Sequence, residues 1–300
     1  MQAEAVGAWL QRRHPALNVE YLWLESEGDQ FIERSLADSG GKGLFAKAIE
    51  RALLDRKADL AVHSLKDLPT KLTKGLLIAA IPPREDPRDC LIGRNGVKAI
   101  NDLPQGAVFG TASPRRAAQV LRLRPDLRIE LMRGNVQTRL RKVLEPVEAG
   151  GKHYDATLMA MAGLSRAGLT PHMQHPQEPD VILPAAGQGA LALQCRGDDH
   201  VTMQRVLPLN HPATAQAVEL ERQIIDGLHG DCHSPIAAFA EHVAVGAAAG
   251  YRLRARVLSA DGKACVEAQA EAAGKTLRKL AATVLAELEG KGARQLLARR

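Results

Sequence analysis

Aromatic side chains are scarce in this chain: four Phe, three Tyr and two Trp amount to 3% of its 300 residues. Proteins that hold single-stranded nucleic acid stack bases on such rings, so a stacking platform is not expected here. Cysteine is equally sparse. Cys90, Cys195, Cys232 and Cys265 form no C-x-x-C pair, which disfavours both a zinc site and a disulfide framework and predicts reduced thiols in the cytoplasm. Long apolar runs are missing too, since a stretch such as LLIAAIPP falls well short of a membrane span. The opening MQAEAVGAWLQRR has no basic flank followed by an apolar segment, so neither a leader nor a membrane anchor is expected. No metal site is expected either: the HxxH formed by His172 and His175 lies in a Pro-rich loop without further ligands.

What the chain does have is enough length for two or three domains, with a globular balance of 45% hydrophobic and 25% charged residues. Its net charge of +6 is strongly local. Between Ser113 and Lys142 stand nine Lys/Arg (Arg115, Arg116, Arg122, Arg124, Arg128, Arg133, Arg139, Arg141 and Lys142) against Asp126 and Glu130, an excess that outweighs the net charge of the whole chain. One region is therefore expected to take an anionic ligand. Nucleic acid is the rival reading of any basic cluster, but no aromatic lies within 113–142 and no helix-turn-helix or zinc-finger spacing is present.

The apolar period switches repeatedly between helical and strand spacing. It predicts helices over 2–13, 43–57, 114–124, 136–148, 212–228 and from about 275, and strands over 18–24, 58–62, 76–81, 106–110, 127–132 and 154–160. VILPAAGQGALALQCR then returns as strand and turn. This alternation predicts an α/β fold with parallel sheets covered by helices, and the antiparallel-looking strands across 237–270 predict a separate α+β domain. Ser113-Pro114 reads as an N-cap followed by proline at the first helical position, and Asn135 reads as a second cap.

In parallel sheets the ligand crevice lies beyond the carboxyl ends of the strands. Ser64, Lys66 and Asp67 follow one predicted strand, Thr111, Ser113, Arg115 and Arg116 a second, and Arg133 and Arg166 two more. These segments are expected to line a cleft rich in arginine, whose planar fork holds carboxylates or phosphates bidentately. Each has a plainer reading: Lys66-Asp67 as an exposed turn pair, and Arg122, Arg124, Arg128 and Lys142 as a solvated face. GQGALA at 187–192 matches a pyrophosphate-binding pattern only weakly, because a strand follows where a helix is required. GGKG at 40–43 lacks P-loop spacing and is expected to be a mobile loop. Cys232, among the turn residues of HGDCHSPIA, is a candidate reactive thiol. A hydrolase built on it would need a base, and the adjacent His233 is poorly placed to serve.

Seven motifs, taken in order, resemble the porphobilinogen deaminase (hydroxymethylbilane synthase) family. They are HSLKDLP at 63–69, EDPRD at 85–89, GTASPRR at 110–116, LRPDL with LMRGNVQTRL ending at 140, YDATLMAMAGLSR at 154–166, LPAAGQGALALQCR at 183–196, and ER with GDCHSPIA across 221–237. The resemblance implies a transferase that joins four porphobilinogen units head to tail, releasing ammonia, to give hydroxymethylbilane in tetrapyrrole (heme) biosynthesis. It implies a dipyrromethane cofactor held by a thioether at Cys232. Asp67 would be the catalytic acid, stabilising the cation left when ammonia departs. Lys66, Ser64, Thr111, Ser113, Arg115, Arg116 and Arg139 would bind the cofactor, and Arg133, Arg166 and Gln188 the substrate. The implied architecture is two periplasmic-binding-protein-like domains with a cleft between them, domain 1 (1–82 and 190–208) and domain 2 (83–189), plus an α+β domain 3 (209–300) carrying the cysteine. A cytoplasmic monomer without nucleic-acid or membrane partners is implied as well. The alternative of another class is a truncated or inactive anion-binding protein of the same fold.

The chain departs from the family pattern in places. It opens at the tail of the family's usual first strand, so domain 1 is expected to lack that strand with its arginine and serine. Ala112, Asp38 and Gln137 replace a serine, a lysine and a small residue, and Asp231 and Ser234 replace a small and a β-branched residue beside Cys232. An anion next to the thiol is expected to slow thioether formation.

Overall fold

A computed structural model describes residues 1–24, 41–147, 151–231, 233–246 and 248–298. The chain divides into two compact units, residues 1–84 with 190–216, and residues 85–189 with 217–300. Mixed α/β structure runs throughout, with three sheets among the described residues. No described helix is long and apolar enough to cross a membrane.

The first unit is built on α1 (Gln2–Arg13), α2 (Gly41–Leu54), β1 (Ala61–Ser64) and β2 (Leu76–Ala80), to which β8 (Leu191–Arg196) and α6 (His200–Val206) are added after a long excursion. Its sheet has the order β1-β8-β2. Here the expectation of a parallel sheet is corrected: β8 enters between β1 and β2 from the opposite direction and is antiparallel to both, with Ala61 opposite Gln194 and Leu77 opposite Cys195. All six residues of β8 are buried, as a central strand covered on both faces requires. Val6 and Leu10 of α1 pack with Ala80, Leu191, Leu193 and Val206.

Two strand expectations need correction in this unit. Residues 18–24 alternate like a strand but form none. A strand needs a ladder partner; instead the segment crosses α1 at Gly7, where a Cβ would stand 2.2 Å from the Tyr21 hydroxyl, and Trp23 remains 73% exposed. The strand expected over 58–62 begins at Ala61, because the Lys57 and Ala58 amides bond back to the Ala52 carbonyl and close the end of α2.

The second unit opens with β3 (Asp89–Gly93), β4 (Val108–Gly110), α3 (Pro114–Leu123), β5 (Arg128–Glu130), α4 (Val136–Leu144), β6 (Ala156–Ala160), α5 (Met161–Arg166) and β7 (Pro176–Gln177). The sheet order is β5-β4-β6-β3-β7, with β4 parallel to β5 and β6 and with β3 antiparallel to its neighbours β6 and β7. Successive residues of β3 serve opposite cores: Leu91 joins Phe109, Val120 and Leu158, while Cys90 and Ile92 join Met132, Leu140 and Val143. Helix α4 stops at Leu144, short of the expected 148, because Pro146 forces Glu145 out of the helical region.

The same unit resumes at Ala217 within α7 (Pro212–Gly227) and leads into a meander of β9 (Ile236–Val245), β10 (Ala248–Leu258) and β11 (Cys265–Ala273), antiparallel in the order β11-β10-β9. Leu253, Ala255 and Val257 of β10 pack with Leu220 and Ile224 of α7 and with Val284 and Leu288 of α8 (Leu280–Gly290). The alternate residues Arg252, Arg254 and Arg256 lie on the opposite face of β10.

Candidate active site

In the second unit topology places the chemistry. Because β4, β5 and β6 run parallel, the chain leaves all three at one edge of the sheet, delivering Thr111, Arg133 and, through α5, Arg166. Strand β3 runs the other way, with Asp89 opposite Ala160, so its first residue arrives at that same edge.

The turn after β4 is tightly specified. The Thr111 amide donates to the Glu130 carbonyl at 2.9 Å, and its hydroxyl accepts the Ser113 amide at 3.1 Å. The Ser113 hydroxyl accepts the Arg116 amide at 3.4 Å, and Pro114 takes the first helical position, so the cap expected from sequence starts α3. Arg115 and Arg116 thereby fall in the first turn of α3.

Both guanidiniums meet Asp89, whose side chain is fully buried. Arg115 Nη2 lies 2.8 Å from Oδ2, while Arg116 Nη2 and Nε lie 2.6 and 3.0 Å from Oδ1. Gln188 adds its Nε2, 3.1 Å from Oδ1 and 2.7 Å from the Pro87 carbonyl. Burial alone would raise the Asp89 carboxyl, but the charges and hydrogen bonds of Arg115 and Arg116 together hold it well below the ordinary carboxylate range. Two cations around one anion leave the cluster with surplus positive charge.

A second anchor holds Arg115, whose Nη1 donates to the Leu183 carbonyl at 2.7 Å. That carbonyl also accepts Gln119 Nε2 at 3.1 Å, and Gln119 Oε1 accepts both the Leu183 amide at 2.8 Å and Arg256 Nη1 at 2.7 Å. Sequence reasoning missed Asp89, Gln119 and Arg256. The one available signal for Asp89 was an acid opening the apolar run CLI; for Arg256 it was the alternation of YRLRARVL.

The remaining basic residues stand nearby in the chain. Arg133 is exposed, and among the described residues its guanidinium has no partner. Asn135 caps α4 by accepting the Thr138 amide at 2.9 Å, and Arg139, one turn on, donates from Nε to the Gly134 carbonyl at 2.7 Å. Gly134 has φ +124° and lies against Thr138, a place no side chain fits. Arg166 donates to Glu85 at 2.9 Å and to the Gly189 carbonyl at 2.7 Å. Cys232 lies outside the described residues, but its neighbours do not. Asp231 Oδ1 accepts the His233 amide at 2.9 Å and the Ser234 hydroxyl at 2.7 Å, while Ser234 Oγ accepts the Asp231 amide at 3.0 Å. The two departures from the family pattern thus bond to one another across the cysteine.

In the first unit β1 runs into a short 3-10 turn, Leu65–Asp67. Leu65 and Leu68 are buried and the Leu65 amide donates to the Ala190 carbonyl at 3.0 Å, so apolar anchors on either side present Lys66 half-buried and Asp67 exposed. Ser64 Oγ accepts Gln2 Nε2 at 3.0 Å. Beneath the turn, His63 Nε2 donates to Gln194 Oε1 at 2.9 Å, and Gln194 Nε2 donates to Glu50 Oε1 at 3.1 Å. Burial lowers the His63 pKa against the opposing pull of Gln194 and Glu50.

A sheet edge with paired arginines, hydroxyls in the adjoining turn and one carboxylate between the cations has the surplus charge and the donors that an anion-binding protein needs. Comparison with known proteins carries this further. The family model "Porphobilinogen deaminase, dipyromethane cofactor binding domain" matches residues 1–204, and that of the porphobilinogen deaminase C-terminal domain matches 215–290. A porphobilinogen deaminase of Ralstonia nicotianae is 44% identical over 300 residues, covering 99% of this chain and 87% of the relative. Those of Geotalea uraniireducens and Syntrophobacter fumaroxidans are 41% and 43% identical, with 99% of this chain covered in each case and 90% and 92% of the relatives. The chain belongs to the porphobilinogen deaminase family.

Proposed function

We propose that this chain condenses four porphobilinogen units head to tail, releasing one ammonia at each step and taking up one water when the linear product leaves, to give hydroxymethylbilane for tetrapyrrole synthesis. The observation that carries the reading is the pair Arg115 and Arg116 around the single carboxylate of Asp89. Each pyrrole of substrate and cofactor carries an acetate and a propionate, and a cluster with excess positive charge beside the Thr111 and Ser113 hydroxyls fits such groups. When bound, the dipyrromethane cofactor supplies an electron-rich terminal pyrrole to which each new unit is joined.

Cys232 holds that cofactor through a thioether, with Arg115, Arg116, Arg139, Lys66, Ser64, Thr111 and Ser113 binding its carboxylates. Arg133, Arg166 and Gln188 bind and orient the incoming porphobilinogen. Asp67 accepts hydrogen bonds from pyrrole N–H groups and stabilises the positive charge that develops on the substrate as ammonia leaves. The anchored turn beneath Asp67 supports this role, because a carboxylate held by Leu65 and Leu68 needs little reorganisation when charge appears. The reading includes two periplasmic-binding-protein-like domains (1–82 with 190–208, and 83–189) facing a common cleft, a third domain over 209–300, and a cytoplasmic monomer.

Steady-state release of ammonia and of linear tetrapyrrole from porphobilinogen tests it. Asp67→Ala is expected to lower turnover at least about a hundredfold, the scale of a lost transition-state electrostatic contact. Thermal midpoints measured beside turnover separate a lost role from a lost fold. Wild-type turnover in Asp67→Ala would remove the residue from its role.

A further inference from the structure

Two arginines in the first turn of one helix are an unusual thing to bury. Arg115 and Arg116 are 5% and 7% exposed, and buried guanidiniums without an anion are costly. Asp89 offsets that cost, since it faces both and the antiparallel direction of β3 is what brings it there. After the bonds to Asp89 and to the Leu183 carbonyl, Arg115 Nε and Arg116 Nη1 have no partner among the described residues.

We propose that Asp89 is a positioning residue, which locks the two guanidiniums in place before any ligand arrives and leaves them one net positive charge for a single carboxylate of the cofactor. The proposal rests on the reading above that Arg115 and Arg116 bind the dipyrromethane. The two arginines should depend on Asp89 unequally. Arg115 has a second anchor at Leu183, itself gripped by Gln119, whereas the side-chain bonds of Arg116 all go to Asp89. Loss of the carboxylate should therefore release Arg116 first. Preorganisation of this kind lowers the ordering cost at the moment of binding.

The test uses the full chain, produced without cofactor and then supplied with porphobilinogen. Intact mass gives the fraction of folded, monodisperse protein that gains two linked pyrroles. Asp89→Asn keeps the shape but not the charge. It should lower the loaded fraction at a fixed time about tenfold or more, the scale on which removing a ligand's hydrogen-bonded support acts. Asp89→Glu, which restores the charge, should recover part of the loading, a rescue that a purely structural role would not require.

Folded Asp89→Asn that loads like wild type overturns the proposal. If that variant does not fold, Asp89→Asn with Arg115→Met removes both partners of one ion pair, restores the charge balance and is compared with Arg115→Met alone. Loading of the double variant below that of Arg115→Met supports the role, and loading equal to it overturns the role. Arg116→Met separates the two levels of the argument. Wild-type loading of Arg116→Met removes the underlying assignment and the proposal with it, whereas an unloaded Arg116→Met beside a fully loaded Asp89→Asn sinks the positioning role alone.

Discussion

Asp89 also sets how the arginine cluster responds to acid. Its carboxyl is held below the ordinary value in the folded chain, so the unfolded chain binds the proton first and folding is favoured where Asp is ionised in the unfolded state. That contribution is complete above about pH 5 and is lost as pH falls below the unfolded value of about 3.9 toward the depressed folded one. Asp86, Asp155 and Asp199 are depressed as well and act on the same acid limb. The difference between two proteins isolates the Asp89 share: urea midpoints measured from pH 6 to pH 3 should fall more steeply for wild type than for Asp89→Asn, with the two curves converging at the acid end. Parallel curves would place the stabilising charge elsewhere. None of this was legible in EDPRD. The strand-end logic reached the arginines because each follows a recognisable apolar run, but Asp89 opens its strand instead of following it, and an antiparallel strand in an otherwise parallel set delivers its first residue to the edge where the arginines stand.

At the scale of elements, signals local to the chain were the readable ones. Ser113 and Asn135 cap the helices they were expected to cap, because a cap acts over three residues of sequence. Strand 18–24 failed because alternation describes a face and says nothing of a ladder partner, and β3 went unread because DCLIG is buried on both sides and has no alternation to show. The contact between the β10–β11 turn and α3 was equally invisible. Gly262 has φ +71°, and a Cβ there would stand 2.4 Å from the Ala118 carbonyl and 2.7 Å from the Arg122 amide, both rigid helix backbone. Gly274 shares the left-handed conformation, φ +56°, but faces open space. Gly274→Ala should thus cost about 1 kcal/mol from conformation alone. Gly262→Ala should cost at least about 3 kcal/mol, read as a larger drop in denaturation midpoint, because the collision adds to the strain. Equal losses would mean that the turn shifts freely and does not bear on the arginine helix.

Across the whole molecule, the first unit is discontinuous in sequence. Its sheet is completed only when β8 arrives from beyond residue 190 and takes the central place between β1 and β2. The repeated switch of apolar period announced mixed α/β structure and a distinct antiparallel segment near the end, but the order of strands depended on pairings more than a hundred residues apart, which no local pattern encodes. What links the two units in sequence is the run of motifs from HSLKDLP at 63–69 to GDCHSPIA ending at 237, and the matches over 1–204 and 215–290 extend beyond that run at both ends.

If this chain builds and carries its own dipyrromethane at Cys232, as proposed, the intact mass of the purified 300-residue protein supplied with porphobilinogen must show it. An excess matching two linked pyrroles is expected in the wild type and none in Cys232→Ser. An excess that persists in Cys232→Ser, or a wild type that turns over porphobilinogen with an unmodified mass, would contradict it.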